Sequence, residues 1–286
     1  MDHGVSAGDG HVEAWSTTRL PFEPTGSQVG FRRELAAACR GLTARPGQVL
    51  HACYAAADTR VVDLENVLTY NLGPGAVRAA ARYGLVLERA PAPDDGRHHY
   101  RYRVVDAGTR WSYWAAGEPL GSVRLLVPSA GVRGLFTGPT AGRWWLAARR
   151  AGVTAAVRSA AVPGRLALRV TVAPPEGWRG SLAGLLKPLT DGLVAAVHAH
   201  EGPFDGLVER ASAVDPDLTP GEFEALLQEP REAPLGRVRL VVRWGATLQW
   251  LPADDRIVAL DVRLAPGHAP GTVTAEFCVP TAASGR

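Results

Sequence analysis

Lysine is almost absent from this chain. Of its 31 lysine and arginine residues, one is a lysine, Lys187. A lysine ammonium is a compact charge on a flexible stem, so it neutralises a nearby carboxylate in a way that a planar guanidinium does not. A single lysine could also remain by chance in an arginine-rich chain. The residues around Lys187 therefore decide whether it has a functional role.

Paired cysteines, long apolar runs and a strong net charge are also lacking. Three widely spaced cysteines argue against a disulfide framework or a zinc-finger site. No apolar run is long enough to predict a membrane-spanning helix, and the polar N-terminus does not resemble a signal peptide. We therefore expect a cytoplasmic protein without membrane contact. The net charge of +3 is too small to indicate nucleic-acid binding on its own.

The segment around Lys187 has the pattern of a capped amphipathic helix. Ser181 is a suitable N-cap, and the leucines that follow it recur at helical spacing. Lys187, Asp191 and His198 are predicted to fall together on the opposite face, with Asp191 and His198 four and eleven residues after Lys187. Proline is poorly tolerated inside a helix, so Pro188 predicts either a helix that begins near Leu186 or a kink.

An imperfect internal duplication predicts the fold. Each half runs from a proline-containing opening into an arginine-rich helix, a strand, a leucine-bearing helix and an aspartate pair that precedes an alternating strand. The arginine-rich helix is expected at 31–39 in the first half and at 144–158 in the second. The strand that follows it is expected at 47–54 and at 164–172. We expect an α+β fold in which the two halves pack as an intrachain pseudo-dimer, because duplicated units usually bury a self-complementary face.

The repeat also predicts the limits of the two units. The first unit is expected at 13–117 and the second at 118–270, with loose tails at 1–12 and 275–286. The second unit carries an insertion at 201–235 that is rich in acids and proline. Within this insertion, Thr219-Pro220-Gly-Glu222 predicts the capped start of a short helix.

Carboxylates recur at corresponding places in the two halves. They are Asp63 and Glu65 at the start of the first leucine-bearing helix, Asp94 and Asp95 before a strand of the first half, and Asp191, Asp254 and Asp255 in the second half. Oxygen ligands of this kind suit Mg²⁺, which binds a few carboxylates together with water and phosphate oxygens. A nearby lysine can offset the negative charge that develops when a phosphodiester is cleaved.

These acid-bearing stretches resemble the RusA-type Holliday-junction resolvases. That family has an Asp-x-Asp-Asn-Leu-x-Lys pattern, a further aspartate on the same helix and then an Asp-Asp pair before a strand. In the first half, Asp63-Leu-Glu65-Asn66-Val-Leu-Thr69 keeps the acids and has threonine in place of the lysine. In the second half, the stretch from Ser181 to Lys187 keeps the lysine and lacks both acids. The chain thus resembles two degenerate copies of the family in tandem.

The resemblance implies a nucleic-acid-associated protein, because RusA-type proteins are dimeric α+β nucleases that cut DNA four-way junctions with magnesium. It implies branched or double-stranded DNA as the partner and Mg²⁺ as the cofactor. Its motif assigns catalysis to Asp63, Glu65, Asp95 and Lys187, and metal binding to Asp63, Glu65, Asp94 and Asp95. The site is either a reduced one in the first half, a composite in which Lys187 reaches the acids of the first half, or a relic in a pseudo-enzyme.

Further residues belong to the same interpretation. The second-unit candidates are Asp191, Asp254 and Asp255, and the arginines predicted to contact phosphates are Arg97, Arg101, Arg103, Arg149 and Arg150. Each acid also has an ordinary structural role open to it, since Asp63 suits an N-cap and the aspartate pairs suit turns before strands.

Two other classes of function stay open. One is a non-catalytic pseudo-nuclease scaffold or interaction module, in which the acidic insertion at 201–235 binds a protein partner. The other is an enzyme that acts on a small molecule through Lys187 and His198. That alternative requires a pocket around both side chains and a lowered pKa for the lysine.

Overall fold

The computed structural model describes residues 1–57, 63–73, 75–126, 134–156, 164–229, 233–265 and 269–283. Its helices are α1 (Ser27–Arg40), α2 (Leu64–Leu68), α3 (Ala141–Ala151), α4 (Leu182–Ala196), α5 (Ala211–Val214) and α6 (Pro220–Gln228). A 3-10 helix, Asp254–Arg256, matters for the site described below. None of the described helices is both long and apolar enough to cross a membrane.

Most of the strands form one large mixed sheet, which confirms the α+β class. In chain order the strands are β1 (His3–Gly8), β2 (His11–Ser16), β3 (Gln48–Ala55), β4 (Gly84–Arg89), β5 (His98–Asp106), β6 (Trp114–Leu126), β7 (Val153–Ala155), β8 (Leu166–Ala173), β9 (Ala199–His200), β10 (Arg237–Val238), β11 (Val241–Trp244), β12 (Thr247–Trp250), β13 (Ile257–Leu264) and β14 (Thr272–Ala282). Ten of them form the sheet β1-β2-β5-β3-β4-β13-β8-β14-β6-β7. The remaining four form two separate pairs, β9 with β10 and β11 with β12.

The strand directions are the same on both sides of the central pair. At the centre β4 and β13 are antiparallel, with Leu87 opposite Leu260. Outward from β4, the strand β3 is parallel, and β5, β2 and β1 then follow with antiparallel pairings. Outward from β13, the strand β8 is parallel, and β14, β6 and β7 then follow with antiparallel pairings.

The two faces of the sheet have different cover. Alternate residues of a strand point to opposite faces, so Leu85 and Leu87 of β4 join the main core together with residues of α1, α2, α3 and α4. Val86 points the other way and packs with Trp111 and Ala167 in a smaller cluster. We call the first side the helical face and the second the open face. Among the described residues, no helix contributes to the cluster on the open face.

The predicted loose tails are wrong. The first sixteen residues contain β1 and β2, which form a hairpin at one edge of the sheet. The strand β14 covers most of the predicted C-terminal tail and is paired on both sides, with β6 and with β8. Residues 284–286 of that tail lie outside the described residues. Small residues such as those of His3–Gly8 give little hydrophobic alternation, so the pairing partners specify these strands.

Two further predictions need correction. The predicted boundary at 117/118 falls inside β6, a continuous strand. The loop before this strand is formed by residues 107–113, which we call the connection between the two halves of the chain. The helix predicted at 144–158 begins at Ala141 and ends at Ala151. Gly152 has a φ of 86°, a conformation that glycine adopts readily and that ends the helix.

The two aspartate pairs do not occupy corresponding positions in the sheet. Asp94 and Asp95 precede β5, which is third from the centre on its side, whereas Asp254 and Asp255 precede β13 at the centre. The two pairs are similar in local sequence because both lie in turns before strands. Their predicted equivalence is therefore wrong.

The described part of the insertion is packed onto the rest of the chain. The Thr219 hydroxyl accepts a hydrogen bond from the backbone N–H of Glu222, and Pro220 begins α6, as predicted. Phe223 and Leu227 of α6 are fully buried. Arg150 of α3 donates two hydrogen bonds to the Glu222 carboxylate, which ties the two helices together.

Candidate functional site

The helix that carries Lys187 begins earlier than Pro188 suggested. The Ser181 hydroxyl accepts a hydrogen bond from the backbone N–H of Gly184 at 3.1 Å, so α4 starts at Leu182. Leu182 and Leu185 are buried in the main core and hold the first turn in place. Pro188 lies inside the helix, which continues to Ala196. Packing of the leucine face therefore outweighs the local penalty for proline.

Four carboxylates surround the Lys187 ammonium. Its Nζ lies 3.0 Å from Asp191 Oδ1 and 3.4 Å from Asp254 Oδ2. It lies 3.5 Å from Glu65 Oε1 and 3.9 Å from Asp63 Oδ2. Asp63 and Glu65 belong to the first half of the chain, whereas the other three residues belong to the second. The structure thus brings these residues together as a composite, which we call the acid–lysine site.

Sheet topology explains why residues so far apart in sequence meet. Because β3 and β4 are parallel and β4 is antiparallel to β13, the ends of β3 and β4 lie at the same sheet edge as the start of β13. The helix α2 follows β3 at this edge, and Asp254 lies just before β13. On the helical face α2 contacts both α4 and β13.

The acid–lysine site holds four carboxyl groups against one ammonium group. Glu65 is fully buried, and the side chain of Asp254 is 10% exposed. Burial raises the pKa of Asp63 and of Glu65, and it raises the pKa of Asp191 to about 7. The charge of Asp254 adds to the rise of each pKa, while Lys187 opposes it.

Lys187 remains a cation in this environment. Burial alone would lower its pKa, but the charges of Glu65, Asp191 and Asp254 outweigh burial and raise the pKa. A lysine of this kind stabilises negative charge and does not act as a neutral amine. This direction of the pKa shift does not support the small-molecule alternative, which needs a lowered lysine pKa.

His198 has a structural role beyond the end of α4. It is fully buried, and its Nδ1 donates to the carbonyl of Val194 at 2.8 Å. Burial lowers the pKa of His198 to about 4, which keeps the ring neutral near pH 7.

The residues of the site fit a magnesium ion. Glu65, Asp191 and Asp254 each offer one carboxylate oxygen, and these oxygens lie within 4.8 Å of one another. Both Glu65 oxygens are buried and have no hydrogen-bond partner among the described residues. A buried carboxylate without donors is costly, and a divalent cation would offset that cost. An all-oxygen ligand set suits Mg²⁺ better than a transition metal.

The predicted metal set of the first half is not brought together. Asp94 is exposed, and the Asp95 side chain is 42% exposed in the turn before β5. The Asp95 carboxylate accepts hydrogen bonds from His99 at 2.9 Å and from the backbone N–H of Arg97 at 3.0 Å. Asp95 therefore stabilises the turn, and Asp191 and Asp254 lie beside Lys187 where the prediction had placed Asp94 and Asp95.

Asp255 also lies outside the acid–lysine site. It is half-buried, and it lines a cavity on the open face. Its backbone carbonyl accepts a hydrogen bond from Arg89. Two neighbouring residues of one 3-10 helix thus belong to different sites. Asp254 belongs to the acid–lysine site, and Asp255 lines the cavity.

The predicted phosphate-contacting arginines divide into two groups. Arg149 is buried, and it donates to the backbone carbonyls of His198 and Glu229, while Arg150 pairs with Glu222. Those two arginines stabilise the packing of α3, and these contacts do not support their predicted role in phosphate binding. The others lie on or beside the open face: Arg101 and Arg103 pair with Glu13, and Arg97 stacks on the ring of Trp15 at 3.8 Å.

A second group of potential ligands, on the open face, was missed by the sequence reasoning. His51 Nε2 lies 2.7 Å from Glu88 Oε1, and the Cys53 thiol lies 3.6 Å from the same oxygen. Burial, together with the charge of Glu88, raises the pKa of the Cys53 thiol, which stays protonated. The signal in the sequence is the alternation His51-x-Cys53 on a buried strand, but the register with Glu88 requires the sheet.

Glu88 holds the connection between the two halves against the sheet. Its two carboxylate oxygens accept hydrogen bonds from the backbone N–H groups of Ser112 and Tyr113, each at 2.8 Å. Burial alone would raise the pKa of Glu88, but the hydrogen bonds from His51, Tyr113 and Ser112 outweigh burial and lower the pKa. Since these donors already satisfy Glu88, the group fits a structural clamp better than a metal site.

No family model matches this chain, and no curated protein matches it in sequence. The resemblance to the RusA-type resolvases therefore stands on the quoted motifs. The geometry of the acid–lysine site provides a separate argument for its chemistry.

Proposed function

We propose that this chain is a nucleic-acid-associated protein whose acid–lysine site binds Mg²⁺ and cleaves phosphodiesters, as a degenerate RusA-like nuclease. One observation carries the proposal: four carboxylates are gathered around a single lysine. The innermost one, Glu65, has an ion-pair contact with Lys187 at 3.5 Å, but neither of its oxygens has a hydrogen-bond partner among the described residues. Buried charges are retained when they are paired or coordinate a metal. The excess of negative charge therefore supports a site for a cation.

We further propose that the two halves are copies of one unit packed as an intrachain pseudo-dimer. The equal succession of strand directions outward from β4 and from β13 supports this origin. So does the position of the leucine-bearing helices, since α2 follows β3 and α4 follows β8. In this interpretation the first copy kept the acids on α2, the second kept the lysine on α4, and one composite site remained.

The roles of the residues follow from their places in the site. A bound Mg²⁺ ion supplies a Lewis acid for a phosphoryl oxygen and lowers the pKa of a bound water. Glu65, Asp191 and Asp254 would hold that ion. The Lys187 ammonium offsets the negative charge that develops on the phosphorus oxygens. Asp63 has the most exposed carboxylate of the four and a raised pKa, which suits it to accept a proton from water.

The alternative is a pseudo-nuclease scaffold that keeps the fold without activity. Its support is the loss of family residues: Thr69 stands where the family has lysine, and its hydroxyl donates back to the Glu65 carbonyl within α2. The structure gives less support to the idea that the insertion at 201–235 binds a protein partner, because its helix α6 is packed against α3.

Cleavage of branched and linear DNA by the purified protein in Mg²⁺ tests the proposal. We expect Glu65→Gln, Asp191→Asn and Lys187→Met each to lower the cleavage rate by about a hundredfold or more, because each removes a charge at the reacting phosphate. The matched control is Asp95→Asn, which changes an aspartate of the surface turn and should leave the rate unchanged.

Two outcomes would contradict the assignment. Loss of cleavage in the Asp95 variant with normal rates in the Glu65 and Asp191 variants would place the chemistry elsewhere. Absence of cleavage by the unaltered protein, with DNA binding retained, would support the scaffold alternative.

A further inference from the structure

A large cavity lies on the open face beside the connection between the two halves. Its volume is about 1740 Å³. It extends from Ala56 at the end of β3, past the 108–116 segment, to Gly164 before β8 and to the 3-10 helix at Asp255. Sites for single small molecules usually measure about 300–1,000 Å³, so this cavity has room for a longer ligand.

The cavity is lined by an excess of positive charge. Among the described residues, five arginines and one carboxylate line it: Arg89, Arg110, Arg165, Arg169 and Arg256 against Asp255. Arg89 is buried, at 8% exposure, and it lies near enough to Arg165 for the two like charges to interact unfavourably. Clustered guanidinium groups of this kind match phosphate groups, which they bind with two parallel hydrogen bonds.

Aromatic rings support two of these arginines. The guanidinium of Arg165 lies over the ring of Trp114 at 5.3 Å, and that of Arg169 lies over the ring of Trp111 at 5.1 Å. Trp114 is itself held by a hydrogen bond from its Nε1 to the carbonyl of Arg89 at 2.7 Å. A planar guanidinium on a ring presents a flat cationic surface, on which a nucleic-acid base can stack.

We infer that this cavity binds single-stranded nucleic acid, with phosphates on the arginines and bases against the arginine–tryptophan pairs. A single strand has both the charges and the free base faces that this lining matches. A duplex stacks its bases internally, so it presents phosphates and leaves the cavity interior unfilled. A lone nucleotide would leave most of the volume to water.

The place of the cavity relates it to the acid–lysine site. Asp255 and Arg256 line the cavity, while the preceding residue, Asp254, contacts Lys187. A strand in the cavity therefore lies beside the 3-10 helix that carries a predicted metal ligand. The inference rests on the proposed function for its class of ligand, but its test does not depend on cleavage.

The test is fluorescence anisotropy of a labelled oligothymidylate titrated with the full chain in EDTA, which prevents magnesium-dependent cleavage. We expect the double variant Arg165→Glu/Arg169→Glu to weaken binding by about tenfold or more, because it removes two phosphate contacts. The slope of log K against log salt should also fall in magnitude by about one to two. The matched control is Arg33→Glu/Arg78→Glu, which reverses two exposed arginines that do not line the cavity.

The outcomes separate this inference from its alternatives. Equal losses in the two double variants would show that net charge alone attracts the oligonucleotide, and they would overturn the inference. Stronger competition by duplex DNA of equal length would overturn it as well. If the double variant does not fold by circular dichroism, the single variant Arg110→Glu in the exposed loop is decisive, since it should weaken binding by about threefold or more.

The same experiment distinguishes failure of the two proposals. Glu65→Gln should bind the oligonucleotide like the unaltered chain, because Glu65 lies outside the cavity. Cavity-dependent binding without cleavage in Mg²⁺ would overturn the proposed nuclease and keep the strand-binding cavity. Cleavage of branched DNA with no effect of the Arg165→Glu/Arg169→Glu change on binding would overturn the cavity alone.

Discussion

At the scale of single residues, the acid–lysine site is a set of charges that restrain one another. Lys187 lies within 4.0 Å of four carboxylates, and the charges of Glu65, Asp191 and Asp254 raise its pKa. Burial raises the pKa of three of the four acids. An Mg²⁺ ion bound as proposed would compete with protons for the same oxygens. We therefore expect the stability of the protein to depend on pH and on Mg²⁺ together.

Magnesium should stabilise the protein more at high pH than at low pH. The pKa of Asp191 rises from 3.8 to about 7 on folding, so the folded state binds the extra proton between these values. The free energy of unfolding without metal should fall as pH rises through this window, by a few kcal/mol in order of magnitude. Mg²⁺ replaces the proton, so its stabilising effect should grow in the same direction.

Thermal unfolding at about pH 5 and about pH 8, with and without Mg²⁺, measures this effect. In Asp191→Asn the gain in Tm from Mg²⁺ should be smaller and less dependent on pH, whereas Asp95→Asn should behave like the unaltered chain. An equal gain in Tm at both pH values would argue against a metal at these carboxylates.

At the scale of elements, the close crossing of α3 and α4 positions the lysine. The two helices are in contact, and Gly192 of α4 lies at their closest approach. A Cβ atom at Gly192 would lie 2.3 Å from the Cβ of Trp144 and 2.6 Å from the carbonyl oxygen of Ala141. Both distances are shorter than any packed core allows, so α4 keeps its position only with glycine there.

Gly192→Ala should therefore destabilise the fold by about 1–3 kcal/mol, because the helices must separate to admit one methyl group. Urea unfolding followed by circular dichroism measures the change. The matched control is Gly221→Ala in α6, where a Cβ would meet no atom within 4 Å and where alanine favours helix. A loss of stability in the control as large as that at Gly192 would show that helical glycines matter for some other reason.

At the scale of the whole molecule, the β4–β13 pair joins the two halves into one sheet. Its core residues Leu87 and Leu260 are fully buried, and the acid–lysine site lies across the same junction. We therefore expect the halves to unfold together. Five of the eight tryptophans lie at or after Trp144 and report on the second half.

The test places a destabilising change in the first half. Leu87→Ala should lower the free energy of unfolding by about 2–5 kcal/mol, and it should shift the tryptophan-fluorescence and circular-dichroism transitions by the same amount. A fluorescence midpoint that stays in place while the dichroism transition splits would show that the halves unfold separately.

Much of the fold could be predicted because its patterns are local. The strands near 47–54 and 164–172 and the helix near 31–39 agree with β3, β8 and α1 within a few residues. Lys187 and Asp191 were paired correctly as well, since helical spacing fixes which side chains share a face. His198 was wrongly placed on that face, because α4 ends at Ala196, before His198. The strands β1 and β14 were missed, because their partners in the sheet, and not their own alternation, hold them in place.

Local composition and periodicity thus determined most of the elements and the helix that carries the one lysine. The tertiary structure decides which carboxylates contact that lysine. Asp95 and Asp254 have similar neighbours, and the order of strands alone places Asp254 beside Lys187 and Asp95 in a surface turn. The open-face cavity likewise depends on pairings between distant strands. Contacts of that range are set by sheet register and core packing, which local sequence does not encode.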